Sequence, residues 1–120
     1  MTLQECYAAM GGDYAGVTSR LPTERMVQKF VLKFLNDGSY DLLVRSMEAE
    51  DYAEAFRAAH TIKGVCQNLG FTVLYQSSSQ LSEALRSGFT PEAPALAEQV
   101  AVDYKQTVEA IRTYQTSNGL

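Results

Sequence analysis

Apolar residues recur along this chain at intervals of three and four, the period of an amphipathic helix and not of a strand. Leu3, Cys6, Tyr7 and Met10 predict a short helix over residues 2–10 that stops at Gly11-Gly12 and acts as a lid. A further turn of helix is expected from Asp13 to Arg20. Pro22 and Thr23 open a stronger segment, with Met26, Val27, Phe30 and Phe34 on its apolar face and an end near Asn36-Asp37-Gly38. Ser39 or Asp41 starts the next helix, which turns Leu42, Leu43 and Met47 inward and closes at Glu50-Asp51.

Asp51, followed three residues later by Glu54, comes close to a capping box and marks a new helix start. From there Tyr52, Ala55, Ala59, Ile62, Cys66 and Leu69 follow spacings of 3, 4, 3, 4 and 3, the seam of a helix packed along its neighbours, and Gly70 supplies the stop. Thr72 is the expected cap of the next helix, whose stripe is Leu74, Ser78, Leu81 and Leu85 and whose break is Ser87-Gly88. The stretch Phe71 to Tyr75 has the composition of a strand, but it is short, has no pairing partner and runs into helical spacing, so it is read as helix. Thr90-Pro91-Glu92 reads as the start of a last helix carrying Leu96, Val100, Tyr104, Val108 and Ile111, with residues 116–120 frayed. Short connections make sequential helices antiparallel. The expected fold is all-α: an up-and-down antiparallel four-helix bundle over about residues 39–115, with short N-terminal helices and one further helix in 1–38, all in a single domain of residues 1–120.

Composition narrows the function. At 120 residues with 46% hydrophobic and 20% charged, the chain is sized for one core and is not a disordered tail. Ten Lys and Arg against fourteen Asp and Glu give a formal charge of -4, which excludes the basic footprint of a nucleic-acid binder. Cys6 and Cys66 lie far apart in sequence and form neither a disulfide framework nor a zinc motif. The first residues lack the basic-then-apolar pattern of a signal peptide, and the greasy run from Phe30 to Leu35 is interrupted by Lys33. A cytoplasmic, reduced protein with no membrane segment is expected. Met1 without a preceding linker, and a short tail, suit a complete free-standing chain, and apolar stripes used internally suit a monomer.

The chain has one histidine, His60, placed about 100° around its helix from the seam residue Ala59 and so at the edge of the buried stripe. Phe56 and Arg57 lie one turn before it, Lys63 and Gly64 one turn after, and Gln67 two turns on. A glycine inside a helix costs about 1 kcal/mol relative to alanine, so Gly64 calls for a reason: access to the imidazole, or a crossing where two backbones approach. An imidazole open to solvent is near neutral pH largely the uncharged form, a nucleophile able to attack phosphorus. Lys63 and Arg57 stand where they would offset the charge of a phosphoryl group, and Gln67 would add a neutral donor. Phe56 is either an apolar docking residue or an extension of the core stripe beyond Ala55. The acidic run Glu48, Glu50, Asp51 and Glu54 straddles a turn and reads as a solvated face, so no metal site is expected, and Gly11-Gly12 lacks the rest of a phosphate loop.

The stretch His60-Thr61-Ile62-Lys63-Gly64, followed on the same helix by Asn68-Leu69-Gly70, resembles the signature of the histidine-containing phosphotransfer (HPt) domain family. The resemblance extends in outline over nearly the whole chain, since that family consists of helical bundles of this size. It implies a phosphocarrier of a two-component phosphorelay and not an enzyme: His60 takes a phosphoryl group from a receiver-domain aspartate or a kinase and passes it to another receiver aspartate. It also implies that Lys63 stabilises the phosphohistidine and that Gly64 leaves room for the receiver, whereas Gln67 and Arg57 rest on spacing alone. The partners implied are response-regulator receiver domains and a hybrid histidine kinase. No cofactor is expected on this chain, the magnesium being held by acidic residues of the receiver. Cys66 takes a seam position where such domains carry a small residue. The alternative is a helical adaptor that binds a receiver or kinase without carrying phosphate.

Overall fold

Small polar side chains set four of the helix starts. Thr2 accepts from the Glu5 amide while Glu5 accepts from the Thr2 amide, a complete capping box at the head of α1 (Leu3–Met10). Asp13 accepts from the Gly16 amide at the head of α2 (Tyr14–Arg20), and Thr23 from the Met26 amide at that of α3 (Glu24–Phe34). After α4 (Ser39–Glu48), Asp51 accepts from the Glu54 amide and opens α5 (Tyr52–Leu69). Each such cap is worth about 1 kcal/mol to its helix. α6 (Thr72–Leu85) and α7 (Ala93–Ser117) complete the chain. The computed structural model describes all residues 1–120 and is all-helical.

The helices form the expected up-and-down bundle: α5 packs along α4 and α6, and α6 along α7. Ala55, Ala58, Ala59, Ile62, Cys66 and Leu69 bury one face of α5. Facing them, α6 buries Leu74, Leu81 and Leu85 together with Ser77, Ser78 and Ser82, small residues that let the two backbones approach. Ser77 and Ser78 donate to the Leu74 carbonyl, so their hydroxyls are satisfied inside the core. Gly70 ends α5 in the left-handed region, φ 73°, and its carbonyl accepts from the Asp13 amide at 2.7 Å. That bond ties the α1–α2 junction to the α5–α6 turn. No helix is long and apolar enough to cross a membrane.

Several expectations need correction. α1 is not a lid: it packs along α7 and buries Leu3, Cys6, Tyr7 and Met10 in the same core as the bundle, and the Tyr7 hydroxyl donates to the Leu69 carbonyl at 2.7 Å. α3 turns Val27, Val31 and Phe34 inward, while Met26 is exposed and Phe30 half-buried. In α4 the buried positions are Leu43 and Ser46, with Leu42 and Met47 only partly covered. Thr72 does not cap α6; Phe71 holds that position without a side-chain bond. Thr90-Pro91-Glu92 does not open α7 as a cap and first turn, because the helix begins at Ala93 with Pro94 in its first turn, and Thr90 Oγ1 instead donates back to the Ala84 carbonyl of α6. Nor does the tail simply fray. α7 runs to Ser117, Asn118 Nδ2 donates to the carbonyls of Met1 and Tyr114, and the Met1 amino group donates to Ser117 Oγ at 3.1 Å.

Candidate functional site

The buried seam of α5 leaves an opposite face in water. His60, Thr61, Gly64, Gln67 and Asn68 are all exposed there. A Cβ built on Gly64 meets no heavy atom within 4 Å. The reading of this glycine as a helix crossing therefore fails, and what remains is an open surface next to the imidazole. Its backbone is ordinary helix, since the positive-φ glycines lie elsewhere.

The two flanks of His60 differ. At 100° per residue, Lys63 and Phe56 lie about 60° and 40° to one side of the imidazole, and Arg57 about 60° to the other. The first flank faces α6. There the Phe56 ring stacks on the imidazole, with centroids 5.8 Å apart and planes at 22°. The Arg86 guanidinium, from the C-terminal end of α6, lies over the same phenyl ring at 5.6 Å. Phe56 is half-buried and packs against the core, as an extension of the stripe beyond Ala55 would, and its ring also forms the wall on which the imidazole rests. Lys63 is half-buried and takes part in no ion pair, leaving its ammonium free to meet an incoming anion.

On the second flank Arg57 is already engaged. Its guanidinium pairs with Glu54, one turn earlier, through Nε at 3.2 Å and through one terminal nitrogen. That hydrogen bond and the Glu54 charge hold the guanidinium above its ordinary pKa. Arg57 points along its helix toward the acidic run and is not free to cover a group on His60. The Gln67 side chain is exposed without a hydrogen-bond partner, and the backbone carbonyl of Gln67 accepts from Arg20 at 3.1 Å. Arg86 was missed in the sequence because it belongs to another helix. A positional signal existed: Phe56 precedes Gly70 by fourteen residues and Arg86 follows it by sixteen, so a hairpin folded at Gly70 brings them level. Arg86 is also held by Glu83, at 3.2 and 3.1 Å.

No group of three or more His, Cys, Asp or Glu side chains comes together as a metal site. Cys66 lies in the buried seam, where burial first and the Asp37 charge second push its thiol far up, and it packs as a small apolar group. Tyr104 stacks on Tyr40 at 3.9 Å and Tyr114 accepts from Gln28 at 2.9 Å, both as packing groups.

Taken together, the face offers one exposed nitrogen nucleophile, room on one side of it, and a cation one turn away on the flank that faces α6. A family model described as the Hpt domain matches residues 26–114, from the first turn of α3 to near the end of α7. No curated protein and no solved structure gives a match.

Proposed function

The chain belongs to the Hpt domain family, phosphocarriers of two-component signalling that interact with receiver domains and kinases, and on that premise we propose that His60 is the phosphoacceptor of a phosphorelay. The observation that carries this reading is the chain's one histidine exposed on α5 with open space at Gly64, one turn on. A receiver aspartyl phosphate or a histidine kinase is the donor. The unprotonated ring nitrogen attacks phosphorus in line with the bond to the aspartate oxygen; that bond breaks, its electron pair leaves with the carboxylate, and a phosphoramidate forms on the imidazole. Delivery to a second receiver runs the same displacement in the other direction, an aspartate oxygen attacking and the ring nitrogen leaving.

Lys63 supplies the charge that offsets the phosphoryl oxygens, while Arg86, paired with Glu83, lies across the Phe56 ring from the imidazole and supports that wall. Gln67 stands two turns away as a neutral donor to the docked partner. In this reading the magnesium ion is held by the acidic residues of the receiver, and the chain works as a cytoplasmic monomer that needs only to present His60.

The test is incubation with a phosphorylated receiver. Label is expected on the wild-type chain as an acid-labile, base-stable bond, and His60→Gln is expected to abolish it with the helical spectrum unchanged. Labelling that persists in His60→Gln overturns the assignment. Binding of receivers without any transfer would replace the carrier by the adaptor.

A further inference from the structure

Beyond the Gly64 turn, the last part of α5 borders a cleft of about 680 Å³, within the range of small-molecule sites of roughly 300–1,000 Å³. Phosphotransfer assigns this cleft no task. α3 and α5 build its floor from Phe30, Phe34, Val65 and Leu69. Its rim carries two cations, Arg20 from α2 and Lys33 from α3.

Neither cation is in an ion pair, a state shared by all the Lys and Arg side chains except Arg45, Arg57 and Arg86. Arg20 is fixed in place by the end of α5: Nε donates to the Asn68 carbonyl at 3.2 Å, and one terminal nitrogen donates to the carbonyls of Gln67 and Asn68, both at 3.1 Å. Its other terminal nitrogen makes no hydrogen bond, so a donor of the delocalised guanidinium is left over on a side chain held in place. The one carboxylate in the lining, Asp37, accepts from the Ser39 amide at 2.8 Å. The lining of a largely apolar cleft thus holds two cations against one carboxylate.

We infer that this cleft binds a small carboxylate with an aromatic or short aliphatic body, the body lying on Phe30, Phe34 and Val65 and the carboxylate meeting Lys33 and the unused nitrogen of Arg20. A neutral or cationic ligand of the same shape gains the apolar contact but not the paired charge. The inference rests on the cleft alone and does not depend on His60 carrying phosphate.

The experiment is a titration of the isotope-labelled full chain with naphthalene-2-carboxylate, its carboxamide and the corresponding methylammonium, followed by amide chemical shifts. Saturable shifts are expected at Leu21, Phe34 and Val65, with the carboxylate binding about tenfold more tightly than the carboxamide and the ammonium weakest. Lys33→Gln, an exposed change, is expected to remove most of that preference, and Val65→Trp, which fills the cleft, to remove binding. His60→Gln is expected to bind as wild type while failing to take phosphate, which separates this inference from the preceding one. Shifts that never saturate, equal binding of the three naphthalenes, or an unchanged preference in Lys33→Gln would overturn it. So would concentration-dependent shifts at the same amides without ligand, which would assign the cleft to a second copy of the chain.

Discussion

Replacing Gly64 with alanine should move stability and function in opposite directions. Glycine inside a helix costs about 0.8–1.0 kcal/mol relative to alanine. At Gly64 nothing opposes the gain, because the backbone is ordinary helix and the added Cβ meets no heavy atom within 4 Å. An unfolding entropy of about 2.1 cal/mol/K per residue gives roughly 250 cal/mol/K for a chain of 120 residues, so the Tm should rise by about 3–4 °C. Thermal melts followed by circular dichroism at a helix wavelength read this directly. Phosphotransfer from a receiver should fall, slightly for alanine and by tenfold or more for Gly64→Leu, because a side chain at this position stands where the receiver must come within reach of the imidazole and small misplacements cost roughly a hundredfold. A lower Tm in Gly64→Ala would show that the open space is not open. Wild-type transfer by Gly64→Leu would show that no partner covers this turn, and the argument for access would end there.

The same substitution at the end of the same helix should do the reverse: Gly70→Ala places a Cβ in the left-handed region, 2.7 Å from the Asp13 carbonyl oxygen, and should cost about 2 kcal/mol or more in chemical denaturation, against the gain at Gly64. Alkaline pH should weaken the fold through its thiols. Burial pushes the Cys6 thiol from the ordinary value of 9.0 up to about 11, so its contribution is fully present below about pH 9 and is lost as the pH rises toward 11; two units correspond to about 3 kcal/mol, and urea melts under reducing conditions at pH 8 and 10.5 should differ less in Cys6→Ala than in wild type. Lys63→Gln should shorten the lifetime of the phosphorylated protein more than Arg57→Gln, whose guanidinium is already engaged by Glu54, and equal lifetimes of label in a hydrolysis time course would refute that ranking.

The α5 helix was legible in the sequence because every local rule agreed: an Asp51 cap, an unbroken three-four seam and a Gly70 stop, with His60 placed off the seam by the helical repeat. The phase of α3 was not, since Met26 and Phe30 are as apolar as Val31 and only the neighbouring helices decide which of them is covered. Thr90-Pro91-Glu92 has the residues of a helix start, yet Pro94 three residues later fits the first turn equally well, and a bond from Thr90 back to α6 selected the later start. The role of α1 depends on α7, about a hundred residues away, and so lies outside any local pattern. The site divides in the same way. His60, Lys63 and Gly64 follow from spacing on one helix, whereas the engagement of Arg57 by Glu54 is a rotamer choice and Arg86 arrives from a neighbouring helix.

The bonds from Met1 to Ser117 and from Asn118 back to Met1 bring the first and last turns of the polypeptide side by side. A short polar bridge across that seam would circularise the backbone with little loss of packing, and reopening it in the exposed stretch around Gly88 would leave α5 and α6 consecutive and joined through Gly70. Proteins fused at either end would emerge from one pole of the bundle, so a permuted form reopened near Gly88 would bring a fused neighbour to the end of α6 that carries Arg86, beside the phosphoacceptor wall.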